Sequence, residues 1–317
     1  MKTERQGRVF PVTDKADSVV EVLDSALKEN NLKVLYNMHM LGIRRKNNFF
    51  QLDIANKGNV YAKKVILATG GVSFRATGST GDGFRIARKL GHTIRPLMPA
   101  LVPLKTEERW VRQLQGLSLK NIRVSFVYGK KKIISGIGEL LFTHFGVSGP
   151  LVLDLSGRIT ALLINNRKIN IFIDLKPGLE AEKLRARLLK EFSSRGKTYF
   201  KNIMKGLLPH KLIPVFMHLS GIGPAKTASQ ITKHERNTII RLLKALPLTV
   251  AGSLNIEYAM VTGGGVSTKE INPKTMESRL LPGLYFAGEI IDGCAPSGGY
   301  NLQQAFSTGY LAGESAA

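Results

Sequence analysis

Apolar residues at Val19, Val22, Leu23 and Ala26 recur at the spacing of a helical stripe, predicting a helix over 18–28 with Asp17 or Ser18 as its cap. Residues 32–36 (Leu-Lys-Val-Leu-Tyr) read as a strand. Residues 49–54 and 60–62 read as a hairpin turning at Asn56-Lys57-Gly58-Asn59. The run Val65-Ile66-Leu67-Ala68 halts abruptly at Thr69-Gly70-Gly71. Such unbroken apolar runs fit a strand buried on both faces of a parallel sheet. A glycine-rich loop comes next, then a short helix over 82–90 closed by Gly91.

The middle of the chain begins with alternating text. Residues 119–128 and 132–136 predict a hairpin around Gly129-Lys130, and 170–175 another strand. After Pro177-Gly178 the period changes to that of helices, over 179–193, 199–207, 209–219 and 233–246, before strand-like residues 248–258. This order suggests a small β unit with a helical cap, inserted into a larger domain. Near the end, Thr262-Gly263-Gly264-Gly265-Val266 reads as a glycine turn. Residues 284–289 read as a buried strand ending in an acid, and Gly298-Gly299-Tyr300-Asn301 opens a helix over 302–312. The boundaries expected from these shifts are 1–103, 104–261 (β part to 176, helical part 177–247) and 262–317.

Charge sharpens that division. The 46 Lys and Arg against 23 Asp and Glu give +23, distributed as +9, +16 and −2 over the three stretches. A basic middle invites a polyanion as partner, although a lysine-rich solvated surface explains it as well. No run of 18 uncharged apolar residues exists, and the start has no apolar signal core, so a soluble cytoplasmic protein is expected, with no membrane partner. The single cysteine, Cys294, excludes a disulfide framework and any multi-cysteine metal site. The six histidines include no His-Glu-x-x-His. Gly146-Val147-Ser148-Gly149-Pro150 puts Pro where a nucleophile elbow needs Gly, and Ala225 stands where a phosphate loop needs Gly before Lys226-Thr227.

What remains is a set of glycine-ended strands. A strand that stops at glycines presents bare backbone at the carboxyl edge of a sheet, where open α/β folds bind ligands. A helix opening at Gly298-Gly299 offers free N–H groups and a positive dipole end. Glu289, closing an apolar strand, suits polyol hydroxyls. Together these describe a cofactor with a pyrophosphate, a polyol and a planar ring.

The order of the pieces adds a resemblance. Residues 65–71 precede Thr77-Gly78-Ser79-Thr80-Gly81-Asp82-Gly83, then Pro99-Ala100-Leu101-Val102-Pro103-Leu104 and the segment 138–150 around Thr143-His144. Thr262-Gly263-Gly264-Gly265-Val266, residues 283–289 and 298–303 complete the series. From about Gly7 to Gly313, most loosely over 178–247, the chain resembles the bacterial NAD(P)/FAD-dependent oxidoreductases of the BaiN-like group (aminoacetone-oxidase-type FAD-binding enzymes). The resemblance implies an FAD-binding, Rossmann-like α/β domain of glutathione-reductase type, interrupted by an inserted β plus helical domain. The resemblance implies hydride transfer between a small-molecule substrate and flavin, with NAD(P)H as an implied reductant. It also implies that Ala68, Thr69, Gly70 and Gly71 lie along FAD, and that Gly288 and Glu289 face the pyrophosphate and ribityl chain. By the same resemblance Gly298, Gly299, Tyr300, Asn301 and Leu302 would hold the flavin end, and Gly264, Gly265 and Val266 would sit near the isoalloxazine ring. Residues 10–13, Thr143-His144 and Ser148-Gly149-Pro150 match segments on the substrate side. No proton donor is assigned: His144 and Tyr300 are the candidates, each equally explained by packing.

One departure stands out. Members of the group begin with a Gly-x-Gly-x-x-Gly unit that cradles the ADP half of FAD, and here Gly7 is the sole glycine in the first forty residues. The chain therefore reads as N-terminally incomplete by roughly 100 residues, judged from the size of a βαβ unit and its following segment. The expected consequence is impaired FAD binding, with a separately encoded N-terminal half as a partner. Two alternatives stand beside this reading. One is an inactive flavoprotein remnant. The other is a nucleic-acid-binding protein using the basic 104–261 region and residues 219–228, which resemble the hairpin of a helix–hairpin–helix module.

Overall fold

The computed structural model describes residues 1–4, 7–164 and 168–317. The chain divides into two compact units, Met1–Ala100 with Asn255–Ala317, and Leu101–Leu254. Residues 255–261, grouped with the middle stretch by sequence, thus belong to the first unit by contact.

In the first unit a small ribbon, β1 (Lys2–Thr3) and β2 (Val9–Phe10), precedes α1 (Asp17–Glu29). Neither expected cap forms. Ala16 occupies the cap position, and the Ser18 hydroxyl lies 2.6 Å from that of Thr13 instead. The expected strand over 32–36 is absent; those residues run as an irregular segment with Leu32, Leu35 and Tyr36 exposed. A β-branched and aromatic stretch needs a neighbouring ladder to become a strand, and none adjoins it. The hairpin becomes a three-stranded meander of β3 (Met40–Lys46), β4 (Phe49–Ile54) and β5 (Gly58–Ala62), of which β3 had no expected counterpart.

The core of this unit is layered around β6 (Val65–Leu67) and β15 (Leu284–Phe286), which pair in parallel with Ile66 opposite Tyr285. The same core takes in α2 (Asp82–Lys89), whose Phe84, Ile86 and Ala87 are buried. Also packed on the pair is α8 (Tyr300–Ala316), to which the Tyr285 hydroxyl donates at the Ser315 carbonyl, 3.1 Å. Phe286 meets His92 edge-on at 4.9 Å between ring centroids.

The glycine turn expected at 262–266 is a strand, β14 (Val261–Val266), buried throughout and antiparallel to β7 (Ile94–Ala100). Glycine serves close packing there. A Cβ on Gly264 would strike the Pro96 carbonyl, and one on Gly265 would lie 2.6 Å from the Ile290 carbonyl oxygen.

The second unit is built on a closed six-stranded antiparallel barrel. Its members are β8 (Leu104–Thr106), β9 (Ser118–Tyr128), β10 (Lys131–Phe142), β11 (Gly146–Ser148), β12 (Asn170–Asp174) and β13 (Leu246–Ser253), in the order β10-β11-β8-β13-β12-β9. Closure leaves no free edge. An unexpected helix, α3 (Pro150–Leu163), starts at Gly149 with Pro150 in its first turn. This suits proline, whose missing N–H is unneeded there.

Between β12 and β13 come α4 (Ala181–Ser194), α5 (Phe200–Met204), α6 (Ile213–Ser220) and α7 (Lys233–Lys244). The last of these carries a complete capping box between Thr232 and Glu235. The helices therefore interrupt the barrel's strand order rather than following a finished β unit. No helix among the described residues is long and apolar enough to cross a membrane.

Residues 219–228 depart from a helix–hairpin–helix. Helix α6 ends at Gly221 in the left-handed region, as the first half requires, but α7 begins only at Lys233, after the three-residue turn Ala228–Gln230. Between the two helices the backbone pairs with residues 198–200: Phe200 N–H donates to Lys226 O at 2.9 Å and Ala228 N–H to Thr198 O at 2.9 Å.

Candidate functional site

The first unit brings two of the glycine-ended strands side by side. Because β6 and β15 run parallel, their carboxyl ends emerge together, and the Ala287 N–H donates to the Leu67 carbonyl at 3.0 Å. Beyond that bond the two chains part, into residues 68–71 and into a single turn over Gly288–Ile290. Gly70 and Gly288 both lie in the left-handed region, at φ +72° and +74°. A residue with a Cβ pays for that conformation, so glycine fits both bends.

A hydrogen-bonded stitch locks these ends to β14. The Glu289 carboxylate accepts from the Thr262 N–H at 2.7 Å and, through the same oxygen, from the Ser73 hydroxyl at 3.4 Å. The fully buried Thr262 hydroxyl accepts in turn from the N–H groups of Val72 (2.9 Å) and Ser73 (3.2 Å). Gly71 completes the arrangement, since a Cβ there would run into both Glu289 Oε1 and Thr262 Oγ1. The acid at the strand end was legible in the sequence. Its threonine partner was not: Thr262 was read as the first residue of a turn.

Helix α8 joins the third glycine pair to the other two. Its Thr308 hydroxyl accepts from the Gly288 N–H at 2.9 Å, while its first turn begins at Gly299, φ +97°. Residues 7–10 lie along that start. The Val9 N–H donates to Gly298 O at 2.9 Å, the Tyr300 phenol donates to Gly7 O at 3.2 Å, and a Cβ on Gly298 would clash with the Arg8 side chain. Asn301 clamps the preceding loop, accepting from Ala295 N–H at 2.8 Å and donating to Ala295 O at 2.9 Å.

The expected site residues thus separate by environment. Ala68, Thr69, Tyr300 and Leu302 are exposed, and Gly70, Gly288, Glu289, Gly298, Gly299 and Asn301 are half-buried. Gly71, Gly264, Gly265 and Val266 are buried. The last three pack against protein, with Val266 O accepting from Asp292 N–H at 2.9 Å.

Cys294 lies on the 291–299 loop. The residue is exposed, and partial desolvation of its sulfur together with the carboxylates of Asp292 and Glu289 pushes its thiol up, away from the reactive thiolate. In the second unit His144 is exposed beside Phe145, and the Thr143 hydroxyl accepts from the Gly146 N–H at 3.1 Å to hold the β10–β11 turn. No cluster of three or more metal-ligating side chains occurs among the described residues.

Residues 68–70, Gly288 and Glu289 thus stand at the shared carboxyl end of β6 and β15, with exposed Ala68 and Thr69 and half-buried Gly70, Gly288 and Glu289. A second anionic group close to Glu289 would meet repulsion.

Comparison with known proteins places the chain. The HI0933-like protein Rossmann domain matches residues 1–315. A 3-dehydro-bile acid delta(4,6)-reductase of Clostridium scindens is 33% identical over 313 residues, covering 99% of this chain and 76% of that protein. Proteins named ribosomal RNA dihydrouridine synthase are similar too. The one from Haemophilus influenzae is 33% identical over 310 residues (96% of this chain, 73% of that protein). The one from Escherichia coli is 29% identical over 304 (96% and 72%).

Proposed function

This chain belongs to the HI0933-like FAD-dependent Rossmann family, and from that premise we propose that it is an FAD-dependent oxidoreductase whose first unit forms the flavin-facing part of the site. The observation that carries the reading is the parallel pair β6 and β15, whose adjacent carboxyl ends are tied together by Glu289, Thr262 and Ser73. When bound, FAD supplies hydride transfer, and the protein's share is orientation and electrostatics.

Residues 68–70 and Gly288 give the cofactor bare backbone to lie against. The Thr262 amide holds one oxygen of Glu289, which fixes the carboxylate so that its other oxygen can accept from ribityl hydroxyls. The start of α8 would offer its positive end to electron-rich atoms of a bound flavin.

The substrate class we propose is a small unsaturated carbonyl compound, by analogy with the Clostridium scindens reductase, whose name specifies a conjugated ring system. Its reduction consumes one NAD(P)H and one proton and yields the saturated compound and NAD(P)⁺. Binding of FAD by this chain is weak on this reading, because none of its 317 residues forms a Gly-x-Gly-x-x-Gly cradle.

The test is a spectrum at 350–500 nm after dialysis, followed by FAD titration of the chain and of Glu289→Ala. Little retained flavin is expected, with a titration that Glu289→Ala weakens further. A stoichiometric flavin that survives dialysis would overturn the weak-binding reading. A titration indifferent to Glu289→Ala would overturn the site.

A further inference from the structure

A groove of about 540 Å³ opens on the helical part of the second unit, lined by α5, α6 and the turn that follows α6. Its apolar lining comes from Ile213 and Met217 of α6 and Ile222 of the turn, all three largely buried, joined by exposed Pro214 and Pro224. Lys201 of α5 and the imidazole of His218 line it too, and both are exposed. A volume of this size lies within the range of about 300–1,000 Å³ typical of ligand sites.

The turn carries a glycine that the protein itself does not require. Gly221 ends α6 in the left-handed region at φ +68°, but Gly223 has no such conformation, and a Cβ on it would meet nothing within 4 Å. Its N–H has no partner among the described residues. The missing side chain thus leaves the groove open at this point and a backbone donor beside it.

Charge selects the occupant. Residues 192–234, which include the whole lining, hold seven Lys and Arg, three His and no Asp or Glu. Lys201 has no carboxylate within ion-pair distance among the described residues, and its Nζ stands 6.0 Å from the centroid of the Tyr199 ring. An acidic partner therefore meets a field of one sign. Single-stranded nucleic acid is held by aromatic platforms under its bases, whereas this floor is aliphatic and suits the side chain of Leu, Ile or Met from a peptide.

We propose that this groove is a docking site for an acidic peptide segment. An apolar side chain of that segment seats on Ile213, Met217 and Ile222, a carboxylate pairs with Lys201, and a peptide carbonyl accepts from the Gly223 N–H. The site lies within the second unit and rests on nothing in the flavin reading.

The probe is a panel of fluorescein-labelled synthetic peptides in which Leu, Ile or Met is set among Glu and Asp, read by fluorescence polarisation against the whole chain. At least one should bind at least tenfold tighter than its counterparts with Ser for the apolar residues or Lys for the acidic ones. Binding should weaken as added salt screens the charges. Gly223→Leu fills the groove from an open position, and it should weaken binding at least tenfold with an unchanged circular dichroism spectrum and melt. Should that variant disturb the fold, Lys201→Glu, at an exposed position of α5, carries the same expectation. A panel without a binder, or a binder that neither substitution weakens, overturns the proposal. Oligo-uridylate that competes for the groove and is itself weakened by Gly223→Leu would overturn it in favour of nucleic acid. Self-association of the chain that Gly223→Leu abolishes would do so in favour of a second copy.

Discussion

Replacing Thr262 by Val keeps the shape of a fully buried side chain and deletes its oxygen. In the native unit that oxygen accepts from two N–H groups, at 2.9 Å from Val72 and 3.2 Å from Ser73, both in buried residues. Each orphaned donor costs about 1–3 kcal/mol, so the pair is worth roughly 2–6 kcal/mol, with no cavity to add to it. Thr262→Ser keeps the acceptor and loses one methyl, about 0.8 kcal/mol. The bond to the Glu289 carboxylate is donated by the backbone N–H of residue 262 and survives both changes.

Hydrogen–deuterium exchange read on peptides covering 70–74 isolates this effect from the second unit. Thr262→Val should speed exchange there by about 30-fold or more, since each 1.4 kcal/mol is a factor of ten, and Thr262→Ser by less than about fivefold. Equal protection in the two variants would refute the claim that the hydroxyl holds the loop.

The remaining predictions are shorter. Gly71→Ala places a methyl against Glu289 Oε1 and Thr262 Oγ1, so it should destabilise by about 1–3 kcal/mol in urea melts, whereas Gly42→Ala, with open space, should cost far less. His92 is buried among Phe286 and Ser278, and that burial, partly offset by the Glu270 charge, holds its pKa below the ordinary value. Its contribution to stability is therefore present above about pH 6.5 and lost as pH falls from there through the folded pKa. His92→Gln should flatten that acid limb in melts taken between pH 5 and 8. Asn301→Ala should free the 295–296 loop and speed its exchange without shifting the global melt by more than about 1 kcal/mol. Lys226 is held by Glu235 at 2.6 Å, so Lys226→Ala should leave any salt-dependent retention of duplex DNA unchanged. A loss would restore the hairpin as a phosphate contact.

Legibility of this fold followed the distance between partners. Helices over 17–29, 82–89 and 233–244 were readable because their apolar stripes and ends are written within a dozen residues. The parallel strands were readable from unbroken apolar runs that stop at glycine. What escaped depends on remote partners. Strands β8 and β11, three residues each, exist only because of the strands beside them, β8 against β13 from residues 246–253 and β11 against β10 across a tight turn. Helix α3 hid behind its Gly-Pro start, which also reads as a loop. Glycines at 263–265 suggested a turn because a strand of glycines has no propensity of its own; they form one by fitting under the Pro96 and Ile290 carbonyls.

The converse error is the informative one. Residues 32–36 have a strand's composition and are not a strand, while Val65-Ile66-Leu67 has the composition of a central strand and sits at an edge. Both misreadings have one cause: local composition records a preference for burial, whereas whether a ladder forms beside a segment, and on how many sides, is set by partners remote in sequence.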